Sequence, residues 1–501
     1  MRLPFGEWRP DLPPIANSKG LIQARNMLPK AAGYRPLQAL AALPNATALT
    51  ARPRGAISGI TASGNGFMFA GDATKLYRQT DSGMTDVTRA AGAYVLGTDH
   101  RWSFAKYGET IFAATGNDDL QYYTMGSSTV FDRVINAPRA RHLGVIGDFV
   151  MAGNIYDPVE GPLPEAISWP AINNPFSWPT VGSDAARSVQ SDRKTLTGEG
   201  GWVQDVIGGA EVGAVFQERA VWRLDYIGGS DVFQINRVEN SVGMLVPDSA
   251  VAFERQIFYI AEDGFRIFNY TESENIGKER VNRTFLADLD TVYLDRVWVA
   301  KDPDETVIWI AYPGAGNSSG RPNKLIFWDY KLNRFSDADF DLEALIQNAT
   351  QTALSLDAPT TAEDPADIDA PPQATTSFDD RGTVSGATRM GAFDTAFVAS
   401  DFSGADLEGT IETGDLELNP GGRAFVSEAR PLVDSRDAEV AIAATGRRNE
   451  TMSFGRFVKM DDDGSVPLRS DGRYHRIQVK LPVGWADAVG VDLVAMPAGR
   501  R

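Results

Sequence analysis

Cysteine is absent from all 501 residues. Disulfides, thiol catalysis and cysteine-type zinc sites are therefore excluded. Histidine is nearly as scarce: only His100, His142 and His475 occur, far apart and without a partner at metal-ligand spacing. No metal or cofactor set follows from such a pattern. No apolar run approaches the ~20 residues of a membrane span. The opening Met1-Arg-Leu-Pro-Phe-Gly-Glu-Trp8 lacks the apolar core and cleavage site of a signal peptide. Basic charge is in deficit, with 48 Lys and Arg against 66 Asp and Glu and a formal net charge of −18. That balance argues against wrapping nucleic acid, which needs clustered cations. It leaves room for DNA that slides past, because an acidic wall repels phosphate. Helix-forming stretches are few, and 48 glycines favour an all-β chain with many turns.

What is present is a repeat of short β-rich runs. Trp202–Ile207, Val212–Phe216, Ala220–Ile227 and Val232–Asn236 are each closed by glycine or polar residues. This spacing predicts an antiparallel four-stranded meander. The pattern restarts at Ala250–Phe253, Gln256–Ile260 and Phe265–Tyr270. A repeated four-stranded unit is the blade of a propeller. Apolar pairs before small or acidic turns recur from Met68-Phe69 to Phe397-Val398, mostly at the roughly 40–50-residue period of a blade. Six to seven blades are expected.

Three regions follow. Residues 1–50 read as a proline-rich arm. Within it Leu21–Leu28 is a short helix or edge strand, either closing the last blade or docking on a neighbouring subunit. Residues 51–404 read as an irregular β-propeller with insertions at 155–200 and 340–390. The first insertion carries Trp169 and Trp178 among prolines, which suggests an ordered cap or partner loop. In the second, residues 357–380 are acidic and nearly free of large apolar side chains, so a mobile tip is expected. Residues 405–501 change texture and read as a separate antiparallel β-sandwich.

Chemistry is sparse. Gly316-Asn-Ser-Ser-Gly320 matches a hydrolase nucleophile elbow, but Arg321-Pro322 follows it where a helix should start. Asp461-Asp-Asp-Gly-Ser465 offers carboxylates for calcium yet lacks the spaced ligands of a calcium loop. Glu262-Asp263-Gly264 offers a carboxylate pair, but Asp-Gly between strands is a strong hairpin signal. Arg447, Arg448, Arg469, Arg473, Arg476, Arg500 and Arg501 make the last region locally basic. They form either a patch for an acidic neighbour or a scattered solvated face. Nothing joins a nucleophile, a base and an orienting group, so no enzyme is expected.

Several stretches together resemble the nozzle or hub proteins of short-tailed bacteriophages, also called packaged-DNA stabilisation or tail tubular proteins. They are Leu3–Trp8, Asp11-Leu12, Ala24–Pro29 and Gly33–Leu37, then Ile167–Trp169 with Asn174-Pro175 and Trp178. Val215–Leu224, Asp263–Phe265, Ile276-Gly277, Gly472–Arg476 and Gly499–Arg501 complete the set. The resemblance implies a virion tail protein, made in the host cytoplasm and assembled as a hexameric ring below the portal and adaptor. Further partners would be tail fibre or needle proteins, with genomic DNA passing through the lumen without sequence-specific contacts. Trp8, Trp169, Trp178, Arg447, Arg448 and Arg473 are the candidate partner contacts. Two other readings compete: a phage propeller enzyme acting on host surface glycan, and a propeller scaffold that binds peptides.

Overall fold

The computed structural model describes residues 1–17, 20–350, 388–448 and 450–499. The expected acidic tip at 357–380 lies outside the described residues. Among the described residues six four-stranded antiparallel meanders follow one another, and a seventh four-stranded sheet joins three later strands to one from near the N-terminus. The run read first, at 202–236, is the fourth of them: Val203–Gly208, Val212–Gln217, Val221–Gly228 and Val232–Glu239. The first strand of each blade faces a common axis, and the seventh blade packs back on the first. The chain is thus an all-β, seven-bladed propeller with an antiparallel sandwich.

Each blade is apolar on both faces, so each seam between blades is a core of its own. Phe69, Trp102 and Tyr123 fill the seam between blades one and two. Phe112, Leu143 and Trp178 fill the next. Ile146, Trp169, Val206 and Phe233 follow between blades three and four. Backbones come close there: a Cβ on Gly208 would lie 1.6 Å from the Val145 carbonyl oxygen. Met68, Tyr77, Ile346 and Phe393 close the ring between blades seven and one.

Two expectations are corrected. Residues 155–200 are not an insertion. Gly161–Trp169 and Asp192–Thr195 are the outer strands of blade three, and the proline-rich loop between them carries only a short helix, Asp184–Ser188. Residues 1–50 are not an arm. Leu21–Arg25 pairs antiparallel with Gly409–Thr413 and meets the outer strand of blade six, Arg334–Asp339, in parallel at Arg25 and Asp337. Arg2–Pro4 and Gly33–Pro36 both pair with Ala488–Pro497. The strand that completes the last blade is instead Ala41–Ala42, against Ala399–Asp401. Pro29 lies in an edge strand, Met27–Lys30, where its missing N–H costs no ladder bond.

The sandwich is therefore built from both ends of the chain. One of its sheets runs without a break into blade six, giving nine strands in one sheet. Its core joins that of the seam between blades five and six, from Leu3, Met27 and Tyr34 to Phe258, Trp328, Ile477 and Val491. Side chains lock the joint. Arg334 of blade six donates to the carbonyls of Lys30 at 2.6 Å, Gly6 at 2.7 Å and Phe5 at 3.1 Å. Asp11 caps the helix Asn282–Asp288, accepting from the amides of Thr284 at 2.8 Å and Arg283 at 2.9 Å.

Candidate functional site: a charged cluster in the axial channel

The first strands of the seven blades enclose a cavity of ≈ 370 Å³ along the propeller axis. Arg101 closes one mouth of it. This residue precedes blade two and reaches across the axis, donating to the carbonyls of Val297 at 2.8 Å and Pro247 at 2.5 Å. Its guanidinium stacks 4.4 Å from the ring centre of Trp298. A duplex cannot pass along this axis.

Beneath Arg101 lie three titratable side chains from different parts of the ring. Strand alternation turns His142, on the first strand of blade three, toward blade four. There it is fully buried, and its Nδ1 lies 2.6 Å from Asp248 Oδ1. Asp248 sits on the connector before blade five in a left-handed conformation, φ 56°, uncommon for a residue other than glycine. Its second oxygen is 3.4 Å from Arg101. Asp205, on the first strand of blade four, accepts the amides of Val206 at 2.8 Å and Ala250 at 3.2 Å. Burial, and then the neighbouring Asp248, push the Asp205 carboxyl up to about 8. Burial also raises Asp248, but His142 and Arg101 outweigh it and hold that carboxyl well below the usual range. No hydroxyl is hydrogen-bonded to His142 among the described residues, so a nucleophile–base pair is not assembled there.

The tryptophans expected at partner contacts are interior. Trp8, Trp169 and Trp178 are 5%, 1% and 7% exposed. Each indole N–H is satisfied within the chain, at the carbonyls of Ile22, Gln190 and Pro175. Amphipathic rings with a satisfied N–H belong to the blade seams, not to a free surface. The arginines divide. Arg473 is ion-paired to Glu417 at 3.0 Å, and Arg476 to Asp415 at 2.8 Å. Arg447 and Arg448 are exposed beyond the strand Glu439–Thr445 and make no ion pair among the described residues. His475 is fully buried.

The weaker motifs are turns. Asp263 is tied to Arg266 and Asn275 in a hairpin whose Gly264 has φ 107°. Asp461 accepts the amide and hydroxyl of Ser465 in another tight turn. Gly316–Gly320 lies in the loop between two strands of blade six, Val307–Tyr312 and Lys324–Asp329. Sequence reasoning missed the axial cluster because its members are spread over four blades and their connectors. The one local hint was an acidic residue, Asp205, in a strand buried at its first four positions.

No family model and no curated protein matches this chain. Solved structures that are similar include one described as the mitotic checkpoint complex, at 12% identity and a TM-score of 0.36, covering 62% of this chain and 85% of that one. YCF48 bound to D1 peptide is similar at 11% identity and 0.32, covering 60% and 84%. Kluyveromyces lactis Hsv2p follows at 9% and 0.29, covering 54% and 80%.

Proposed function

We propose that this chain is a structural subunit of a short-tailed bacteriophage tail. It would form the nozzle or hub ring below the portal and adaptor, retaining packaged DNA and forming the channel for its ejection. One observation carries the reading. The two chain ends, which hold several of the stretches resembling that family, are woven into one sandwich continuous with blade six. A sheet hydrogen-bonded across the domain boundary resists hinge motion, as a ring under internal pressure requires. Because Arg101 closes the propeller axis, the lumen in this reading would lie between copies of the chain. The net charge of −18 suits a wall along which phosphate slides. The acidic-wall argument predicts slower ejection when lumen Asp and Glu are replaced by Lys.

The glycan-cleaving alternative rests on Asp205 and Asp248 beside one cavity. It ranks second because both oxygens of Asp205 are held by backbone amides and Asp248 is committed to His142 and Arg101. Mass measurement under native conditions, with pull-down of portal and adaptor proteins, tests the first reading. A particle near six times the chain mass that binds them is expected. A stable monomer that cleaves host glycan refutes it.

A further inference from the structure

We infer that copies of this chain join head to tail, with the basic hairpin of residues 446–457 of one copy seated in the cleft at Trp202 of the next. The inference rests on the ring reading above and names the contact that builds the ring. Because hairpin and cleft are different surfaces, each copy offers one and accepts the other. Such a heterologous contact repeats from copy to copy and closes into a ring when its rotation allows.

The hairpin leaves the sandwich strand Glu439–Thr445 and returns through Val458–Lys459, which pairs with it at Val440 and Glu439. Arg447, Arg448 and Arg456 are exposed along it and make no ion pair among the described residues. The turn's own carboxylate is already engaged: Glu450 Oε2 accepts the amides of Gly446 and Arg447, both at 3.1 Å. Arg423, Arg430 and Arg473 of the same sandwich are neutralised by Asp471 at 2.9 Å, Glu428 at 2.5 Å and Glu417 at 3.0 Å. Arg436 and Arg469 are also unpaired among the described residues but stand singly, before the strand and in the opposite sheet. Phe457, 39% exposed, adds an aromatic ring beside Arg456. Arginine with an exposed aromatic is the composition of an interface centre.

The cleft, of ≈ 430 Å³, lies beside the axial mouth, where Pro247, a carbonyl partner of Arg101, forms part of its wall. Trp202 stands in its lining 51% exposed, the only exposed tryptophan among the described residues. Its indole N–H has no partner among the described residues, unlike those of Trp8, Trp169 and Trp178. Glu218 and Glu262 are exposed in the same lining and make no ion pair among the described residues. Asp99 and Asp295 are taken by Arg141 and Arg52. Arg219 is the one unpaired cation of the lining, and the two free carboxylates outweigh it. A guanidinium fits such a lining twice over, by pairing with a carboxylate and by stacking on the open indole. The net charge of −18 otherwise drives copies apart. Seating the hairpin brings opposite charges together where two copies touch.

Native mass spectrometry and sedimentation velocity on the full chain test the contact with two variants: Arg447→Glu with Arg448→Glu on the hairpin, and Trp202→Ala in the cleft. All three substituted side chains are exposed, and circular dichroism establishes that each variant is folded. Each variant alone is expected to assemble at least about 10-fold more weakly than the unaltered chain. An equimolar mixture of the two is expected to give a heterodimer and nothing larger. In that pair the sound hairpin of one variant meets the sound cleft of the other, and the two outer surfaces are both spoiled. Folded variants that assemble as the unaltered chain does overturn this contact and leave the ring reading standing. Weakened variants whose mixture stays monomeric overturn the pairing of hairpin with cleft. An unaltered chain that remains a monomer overturns both the contact and the ring.

Discussion

Asp337 stands at the joint between blade six and the sandwich, opposite Arg25 of the strand that bridges them. Its Oδ1 is buried without a hydrogen-bond partner. Burial pushes the carboxyl up to about 6, against the pull of Arg25, whose Nε lies 3.6 Å from Oδ2. A carboxyl raised in the folded state binds its proton more tightly there than in the unfolded chain. Its contribution to stability is full below pH ~4, is lost as pH rises to about 6, and is flat above that. Two units correspond to roughly 2–3 kcal/mol. Asp337→Asn replaces the group with one that cannot ionise. The variant should match the unaltered chain near pH 4 and exceed it by roughly 2–3 kcal/mol at pH 7. Guanidinium unfolding of both chains at pH 4, 5, 6 and 7 measures the difference, which cancels every other titrating group. Parallel pH profiles, or a variant less stable at pH 7, would refute the reasoning.

Two further outcomes follow from the same architecture. Arg334→Met strips three backbone carbonyls of their donor and should cost roughly 3–5 kcal/mol; faster proteolysis within residues 6–20, with the blades intact, is the readout. Gly208→Ala drives a Cβ into the Val145 carbonyl and should cost roughly 3 kcal/mol, measured as a lower thermal midpoint; an unchanged midpoint would mean that blades three and four separate easily.

The blades were legible because their information is local. A strand of five to eight residues and a glycine turn announce themselves within a dozen residues, and seven repeats reinforce one another. Val203–Glu239 reads almost to the residue. The first fifty residues were not legible, because what shapes them lies far along the chain. Leu21, Ala24, Met27 and Tyr34 are buried against partners from residues 253 to 493, and prolines nearby suggested a free arm. Asp11 shows the same limit: nothing around it foretells a helix cap 272 residues away.

The tryptophans and the axial cluster fail in opposite directions, for one reason. An indole among prolines looks like a surface anchor until its N–H is seen to have a carbonyl partner inside the seam. A lone histidine and scattered aspartates look inert until ring closure brings blades two to five to one axis. In a propeller the first strands converge whatever their sequence separation. Polar residues inside those strands therefore carry more weight than any spacing motif. By that measure Asp205 and His142, not the tryptophans, are the residues to weigh first.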